Sequence, residues 1–187
     1  PFPALDKPLF NRILYSLFDY SVYSYCDAIH APTEVVKERL QAVGYQNPIS
    51  AFSNGLPPSS IRSEELIKHQ VLKVSESRSR NTHDVNGRFT LVSTGRLVPE
   101  KNHEVLLQAL AYSRHSHNFD LYLAGSGPLE PDLRKLAAPL AAQVHIGFVP
   151  HNELIALLDR ADIYVHCALV EIEGLAALEA MARGCMP

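Results

Sequence analysis

The chain has 187 residues, enough for one full domain and part of a second, and its 47% hydrophobic content supports a sizeable buried core. A formal net charge of −3 argues against general affinity for nucleic acid or for an anionic membrane surface. Cys26, Cys167 and Cys185 lie far apart, with neither zinc-ligand spacing nor a disulfide framework, which points to a reducing compartment; no run reaches the roughly 20 apolar residues of a membrane-spanning helix.

In chain order, residues 9–26 carry apolar and aromatic side chains at mixed three- and four-residue spacing, which predicts a helix. Its aromatic stripe suits core packing, with an acceptor- or membrane-facing surface as the alternative. A short strand is expected at 28–30. Thr33 is placed to cap a helix over 34–42, and Gly44 to end it. A strand over 48–52 then runs into Ser53-Asn54-Gly55-Leu56-Pro57-Pro58, a strong break. Residues 75–87 are polar and nearly free of large apolar side chains, so they cannot offset their ordering entropy and are expected to form a mobile loop.

After Gly87 the pattern becomes regular. Strands are expected at 89–94, 120–124, 144–149 and 163–167. Helices are expected at 104–113, at 131–142 with Pro131 in its first turn, at 153–160 capped by Asn152, and at 175–183 closed by Gly184. Apolar strands alternating with helices predict an α/β fold, a Rossmann-like parallel sheet with helices on both faces. Ligands bind such sheets beyond the carboxyl ends of the strands, so the loops after Thr94, Ala124, Val149 and Cys167 carry the interest. Both ends read as cut inside a longer chain, with 1–57 closing one domain, 58–87 a linker and 88–187 most of a second domain.

In the first of these loops Gly95 permits a sharp turn, and Arg96 and Lys101 add a planar fork and a point charge, a pair suited to a diphosphate. The alternative is two solvated charges paired with Glu100. Gly125-Ser126-Gly127 begins like a dinucleotide fingerprint, but Glu130 occupies the place of the third glycine, which disfavours a redox site. A tight strand-to-helix turn with its backbone open to a ligand explains these glycines. In the last loop Glu171 precedes Gly174 and a helix start, where free N–H groups from Gly174 to Ala177 and the helix dipole favour a phosphate. Glu171 can reach sugar hydroxyls. Glu179, among Leu178, Ala180 and Met181, needs hydrogen-bond donors such as the two of a ribose diol, unless it is simply an exposed helix residue. His166, at a strand end, is either structural or lines the site.

These motifs stand in register. Glu171-x7-Glu179 leads into Leu178-Glu179-Ala180-Met181-Ala182-x-Gly184, about 75 residues after Gly95-Arg96-Leu97-x-x-Glu100-Lys101. Between them lie Leu123-Ala124-Gly125-Ser126-Gly127-Pro128-Leu129 and His145-Ile146-Gly147-Phe148-Val149-Pro150, and upstream lie Asp27-Ala28-Ile29-His30-Ala31-Pro32-Thr33 and Ser53-Asn54-Gly55. Together they resemble the family-4 retaining glycosyltransferases of the GT-B fold over nearly all residues except 61–87.

The resemblance implies that Arg96, Lys101 and Glu171 are the catalytic set, the two cations on the donor diphosphate and Glu171 on the donor sugar. It implies donor contacts from Gly95 and Gly125, from the Gly174 and Leu175 amides, from Glu179 to the ribose, and from the Phe148–Val149 backbone beside the base. Residues 1–57 would then belong to the acceptor domain and 88–187 to the donor domain. No resident cofactor or metal is implied, since no Asp-x-Asp is present and the nucleotide-diphosphate sugar, of UDP or GDP type, is a substrate. The acceptor would be a lipid, polysaccharide or small glycoside, with no nucleic-acid partner, at a cytoplasmic or membrane-peripheral location. Retention would follow same-face attack assisted by the leaving phosphate, with a two-carboxylate scheme as the alternative. This stretch alone is expected to bind nucleotide without transferring sugar. A phosphorylase or epimerase on the same fold, and a nucleotide-binding module without turnover, are the competing readings. Three positions depart from the family pattern: Ile172, Glu173 and Ala176.

Overall fold

A computed structural model describes residues 16–17, 22, 25–63, 88–140 and 143–186. Most of the expected helix over 9–26, and the whole expected loop over 75–87, lie outside the described residues. Contacts divide the chain into two units, Pro1–Gly55 and Leu56–Pro187, just ahead of the boundary expected after Pro57.

In the first unit, β1 (Ile29–Ala31) and β2 (Ile49–Ala51) pair in parallel, joined by α1 (Glu34–Val43). The Thr33 hydroxyl accepts the Val36 N–H at 3.2 Å, and Gly44 closes the helix at φ 106, a left-handed conformation that suits glycine. The exposed His30 ring stacks on Phe52 at 3.8 Å.

The second unit holds four parallel strands in the order β5-β4-β3-β6. They are β3 (Phe89–Thr94), β4 (Phe119–Ala124), β5 (Val144–Gly147) and β6 (Ile163–Tyr164). Leu91, Leu121, Leu123 and Val144 form one core with the apolar sides of α2 (His103–Tyr112) and α3 (Glu130–Ala137). Val92, Ala124 and Tyr164 form another with α4 (His151–Arg160) and α5 (Leu175–Ala182). Cys185 packs in this second core, where burial pushes its thiol up to about 12. The near-continuous apolar strands are thus covered on both faces, as a parallel sheet requires.

Several boundaries differ for local reasons. The helix expected to reach 142 ends at Ala137 and passes into a 3-10 turn, Ala138–Leu140. Pro139 lacks an N–H to continue the ladder, and the Ala138 N–H bonds the Lys135 carbonyl three residues back. The helix expected to be capped by Asn152 starts at His151, so Asn152 lies inside its first turn; the Pro150 carbonyl takes the Leu154 N–H at 2.8 Å. The strand expected to reach Cys167 ends at Tyr164, although the Val165 N–H still reaches the Val92 carbonyl at 2.8 Å.

The Gly125-Ser126-Gly127 turn receives the neighbouring loop. Leu97 donates to the Ser126 carbonyl at 2.9 Å and accepts from the Leu129 N–H at 3.1 Å, with its own side chain fully buried. A Cβ at Gly125 would stand 1.8 Å from the Gly95 carbonyl oxygen, and one at Gly127 would stand 2.4 Å from that of Leu97. Gly125→Ala is therefore expected to lower the unfolding free energy by about 1–3 kcal/mol, the usual cost of overpacking. Denaturant unfolding beside wild type checks this, and unchanged stability would mean that the two loops can separate at no cost.

Candidate active site

Strand order reverses between β3 and β6, so their crossovers run to opposite sides and leave a crevice beyond their carboxyl ends. Lys101 reaches this crevice from the β3 loop. Gly95 turns at φ 140, and a Cβ there would meet the Lys101 stem at 3.6 Å. A 3-10 turn, Pro99–Lys101, is closed by Asn102 at φ 54, from which α2 departs.

Glu171 arrives from the β6 loop. Lys101 Nζ lies 2.6 Å from Glu171 Oε2, and His166 Nε2 lies 3.3 Å from the same oxygen. The Ile172 N–H donates to Oε1 at 3.2 Å, and the Leu169 N–H donates to the Glu100 carbonyl at 2.9 Å, tying one loop to the other. Burial disfavours the Glu171 charge. The Lys101 and Ile172 hydrogen bonds and the charges of Lys101 and His166 outweigh it, holding the carboxyl below its usual range.

Arg96 is not part of this convergence. Its guanidinium is exposed and sits 3.3 Å from Glu100, the pairing weighed as the alternative from sequence, whereas the partner of Lys101 is Glu171. Gly174 begins α5 at φ 71, and the Glu171 Cγ lies 3.7 Å from where its Cβ would be. The expected run of free donors is shorter by one, because the Ala177 N–H bonds the Gly174 carbonyl at 2.8 Å. Among the described residues, the N–H groups of Gly174, Leu175 and Ala176 meet no acceptor. Glu179 is half-buried rather than exposed, and accepts the Ser60 hydroxyl at 2.9 Å.

Phe148 is exposed, and with Val149, Tyr122, Ala124, His145 and Gly147 it lines a cleft of about 230 Å³ along β4 and β5, away from Lys101 and Glu171. Gly125 is held by its protein neighbours. Its N–H is engaged by the Gly147 carbonyl at 2.8 Å, and its α-carbon faces the Gly95 backbone. Among the described residues no cluster of three His, Cys, Asp or Glu could hold a metal ion, and no helix is long and apolar enough to cross a membrane.

Three site-adjacent residues were not singled out from sequence. Ser60 had no signal, because its partner is 119 positions away. Tyr164 donates to or accepts from Thr94 Oγ1 at 3.0 Å across β3 and β6, and burial raises its phenol pKa. His103 is 4% exposed, with Nδ1 3.5 Å from Ser93 Oγ and Nε2 without a hydrogen-bond partner among the described residues. Burial first, then the charges of Lys101 and His166, lower its pKa against the opposing Arg96 carbonyl. Its signal was present: His103, Leu106, Leu107 and Leu110 follow the period of one buried helix face.

Residues 75–187 match the family model described as Glycosyl transferases group 1. An alpha-monoglucosyldiacylglycerol synthase of Streptococcus pneumoniae is 28% identical over 84% of this chain and 36% of its own length. The catalytic domain of the cholesterol-α-glucosyltransferase of Helicobacter pylori is 40% identical over 53% of this chain and 62% of that domain, with a TM-score of 0.50. HepE of Anabaena, solved with UDP-glucose, is 17% identical with a TM-score of 0.65 over 93% of this chain and 46% of its own. The chain spans less than half the length of the curated relatives it matches first. These likenesses identify the architecture as the α/β fold of GT-B glycosyltransferases.

The Lys101–Glu171 contact generates a pH prediction. A carboxyl held low by its partner stabilises the folded state above the unfolded-state pKa, and that contribution is lost as pH falls through the lower folded value. In a carbon-detected NMR titration, Glu171 should ionise below an ordinary glutamate, and Lys101→Met should move its midpoint upward. An unmoved midpoint would mean that the Lys101 contact does not govern the charge.

Proposed function

The chain belongs to the glycosyl transferases group 1 family, and on that premise we propose that it carries the donor site of a retaining glycosyltransferase that takes its sugar from a nucleoside diphosphate. The observation that carries this reading is the meeting of Lys101 and Glu171 at 2.6 Å at the switch point of the sheet, beside the open N–H groups that begin α5. A cation and helix-end donors suit a diphosphate, and an adjacent carboxylate suits sugar hydroxyls.

In this reading Lys101 and the Gly174 and Leu175 amides hold the diphosphate, Arg96 swings from Glu100 to join them, and Glu171 holds the donor sugar. Glu179 takes the ribose, and the Phe148–Val149 backbone borders the base. An acceptor hydroxyl bonds to the anomeric carbon as the bond from that carbon to the diphosphate oxygen breaks. The electron pair leaves with the phosphate, which accepts the hydroxyl proton on the same face. Lys101 and the α5 donors stabilise the charge that builds there, and no divalent cation is assigned a part. The UDP-glucose complex of HepE favours a UDP donor, with GDP the alternative. The lipids in the names of two relatives favour a lipid acceptor; a membrane-peripheral site facing the cytoplasm belongs to the same proposal. Leu169, Val170 and Ile172, exposed around Glu171, offer an apolar surface consistent with it.

Lys101→Ala is expected to weaken nucleoside-diphosphate binding by about 30-fold or more, corresponding to roughly 2 kcal/mol and upward. Calorimetric titration checks this, and unchanged affinity removes Lys101 from the diphosphate site. Glu171→Gln should leave the nucleoside diphosphate bound equally or more tightly, since it frees Lys101, while weakening the sugar nucleotide and turnover. Equal losses for both ligands would sink the assignment of Glu171 to the sugar. The full-length enzyme should stay active in excess chelator; abolition restored by Mg²⁺ or Mn²⁺ would contradict the metal-free reading.

A further inference from the structure

The segment Pro58–Ser60 is a single 3-10 turn whose backbone is set by Pro57 and Pro58. It is fastened along α5. The Arg62 N–H donates to the Ala182 carbonyl at 3.0 Å, and Arg62 Nη1 donates to the Arg183 carbonyl at 3.2 Å. At the end of the turn Ser60 is fully buried, and its hydroxyl donates to Glu179 Oε1 at 2.9 Å. Among the described residues Glu179 has no ion-pair partner and no other hydrogen-bond donor to its carboxylate. An ionised carboxylate has about four acceptor positions, so Ser60 satisfies one and leaves the rest open.

Glu179 stands four residues after Leu175, hence on the same side of α5 and about 6 Å further along its axis. The open Leu175 N–H and Glu179 therefore lie along one side of α5. A half-buried carboxylate with a single fixed donor has little rotamer freedom. A ligand that meets it there does not have to order it first.

We propose that Ser60 is a positioning residue for nucleotide binding, holding Glu179 in the orientation that receives the ribose diol. The proposal rests on the reading of Glu179 as the ribose contact. It adds that a residue ahead of the donor sheet, outside the motifs, sets the site's preference for a ribose with both hydroxyls.

The test measures binding of whichever of UDP and GDP is held more tightly, beside its 2′,3′-dideoxy analogue, to wild type, Ser60→Ala, Ser60→Cys, Glu179→Ala and the Ser60→Ala/Glu179→Ala double variant. Wild type should prefer the ribonucleotide. Ser60→Ala should cut that preference about five- to tenfold through weaker ribonucleotide binding, with the dideoxy analogue unaffected. Ser60→Cys, which keeps the shape with a much weaker donor, should behave alike and guards against a folding defect in the alanine variant. The double variant should bind the ribonucleotide no more weakly than Glu179→Ala. Equal losses for both ligands in the Ser60 variants, or none, would overturn the positioning role while leaving Glu179 in place. A preference that survives Glu179→Ala would overturn the ribose reading of Glu179, and this inference with it.

Discussion

Everything at the candidate site depends on how closely two loops can approach. The backbone from Gly95 to Leu97 lies against Gly125 and Gly127 at distances that leave no room for a Cβ on either glycine. Two hydrogen bonds through Leu97 and its fully buried side chain hold this contact. Because the β3 loop is pinned on this side, its distal end, the turn Pro99–Lys101, is carried toward the β6 loop, where Lys101 meets Glu171. The glycines that look like a phosphate fingerprint thus serve the site indirectly, by admitting the strand of backbone that aims a lysine.

The two cations of that loop are held very differently. Arg96 and Glu100 form an exposed pair four residues apart, an interaction worth about 0–1 kcal/mol that a phosphate can displace readily. Lys101 is more enclosed, in contact with Glu171, and an ammonium has three donors. It can keep the carboxylate while presenting the remaining donors to a ligand. The charges of Lys101 and Glu171 are therefore already matched, and the donor binding proposed above asks little of this pair.

Helix α5 joins the two halves of this arrangement. Its first amides meet no acceptor among the described residues, while its far end is closed by Gly184 at φ 84 and by the Cys185 N–H on the Ala180 carbonyl. Arg183, almost fully buried, grips Asp159 through two nitrogens, Nε to Oδ1 at 2.7 Å and Nη2 to Oδ2 at 2.5 Å, and so locks α5 to α4. A helix anchored at its carboxyl end and open at its amino end offers a rigid edge to a ligand. Glu179 lies between those ends, buttressed by Ser60.

By itself the sequence determined the alternation of strands and helices, because apolar runs and capping residues are local signals. The span of β3 is as expected, as are the Thr33 cap and the left-handed Gly44. It also picked out Lys101, Glu171 and Glu179 as charged residues in loops or helix turns that close a parallel strand. Where local reading failed, a competing residue intervened: Pro139 ended a helix, and the helix expected to be capped by Asn152 began directly after Pro150, with no side-chain cap. Only the tertiary structure decided that the partner of Lys101 is Glu171 rather than Glu100. It alone showed that Gly125 and Gly127 accommodate protein backbone, and that a serine 119 positions away completes Glu179. These are contacts between segments brought together by strand order, and strand order follows from the packing of two cores against one sheet, which no window along the chain can contain.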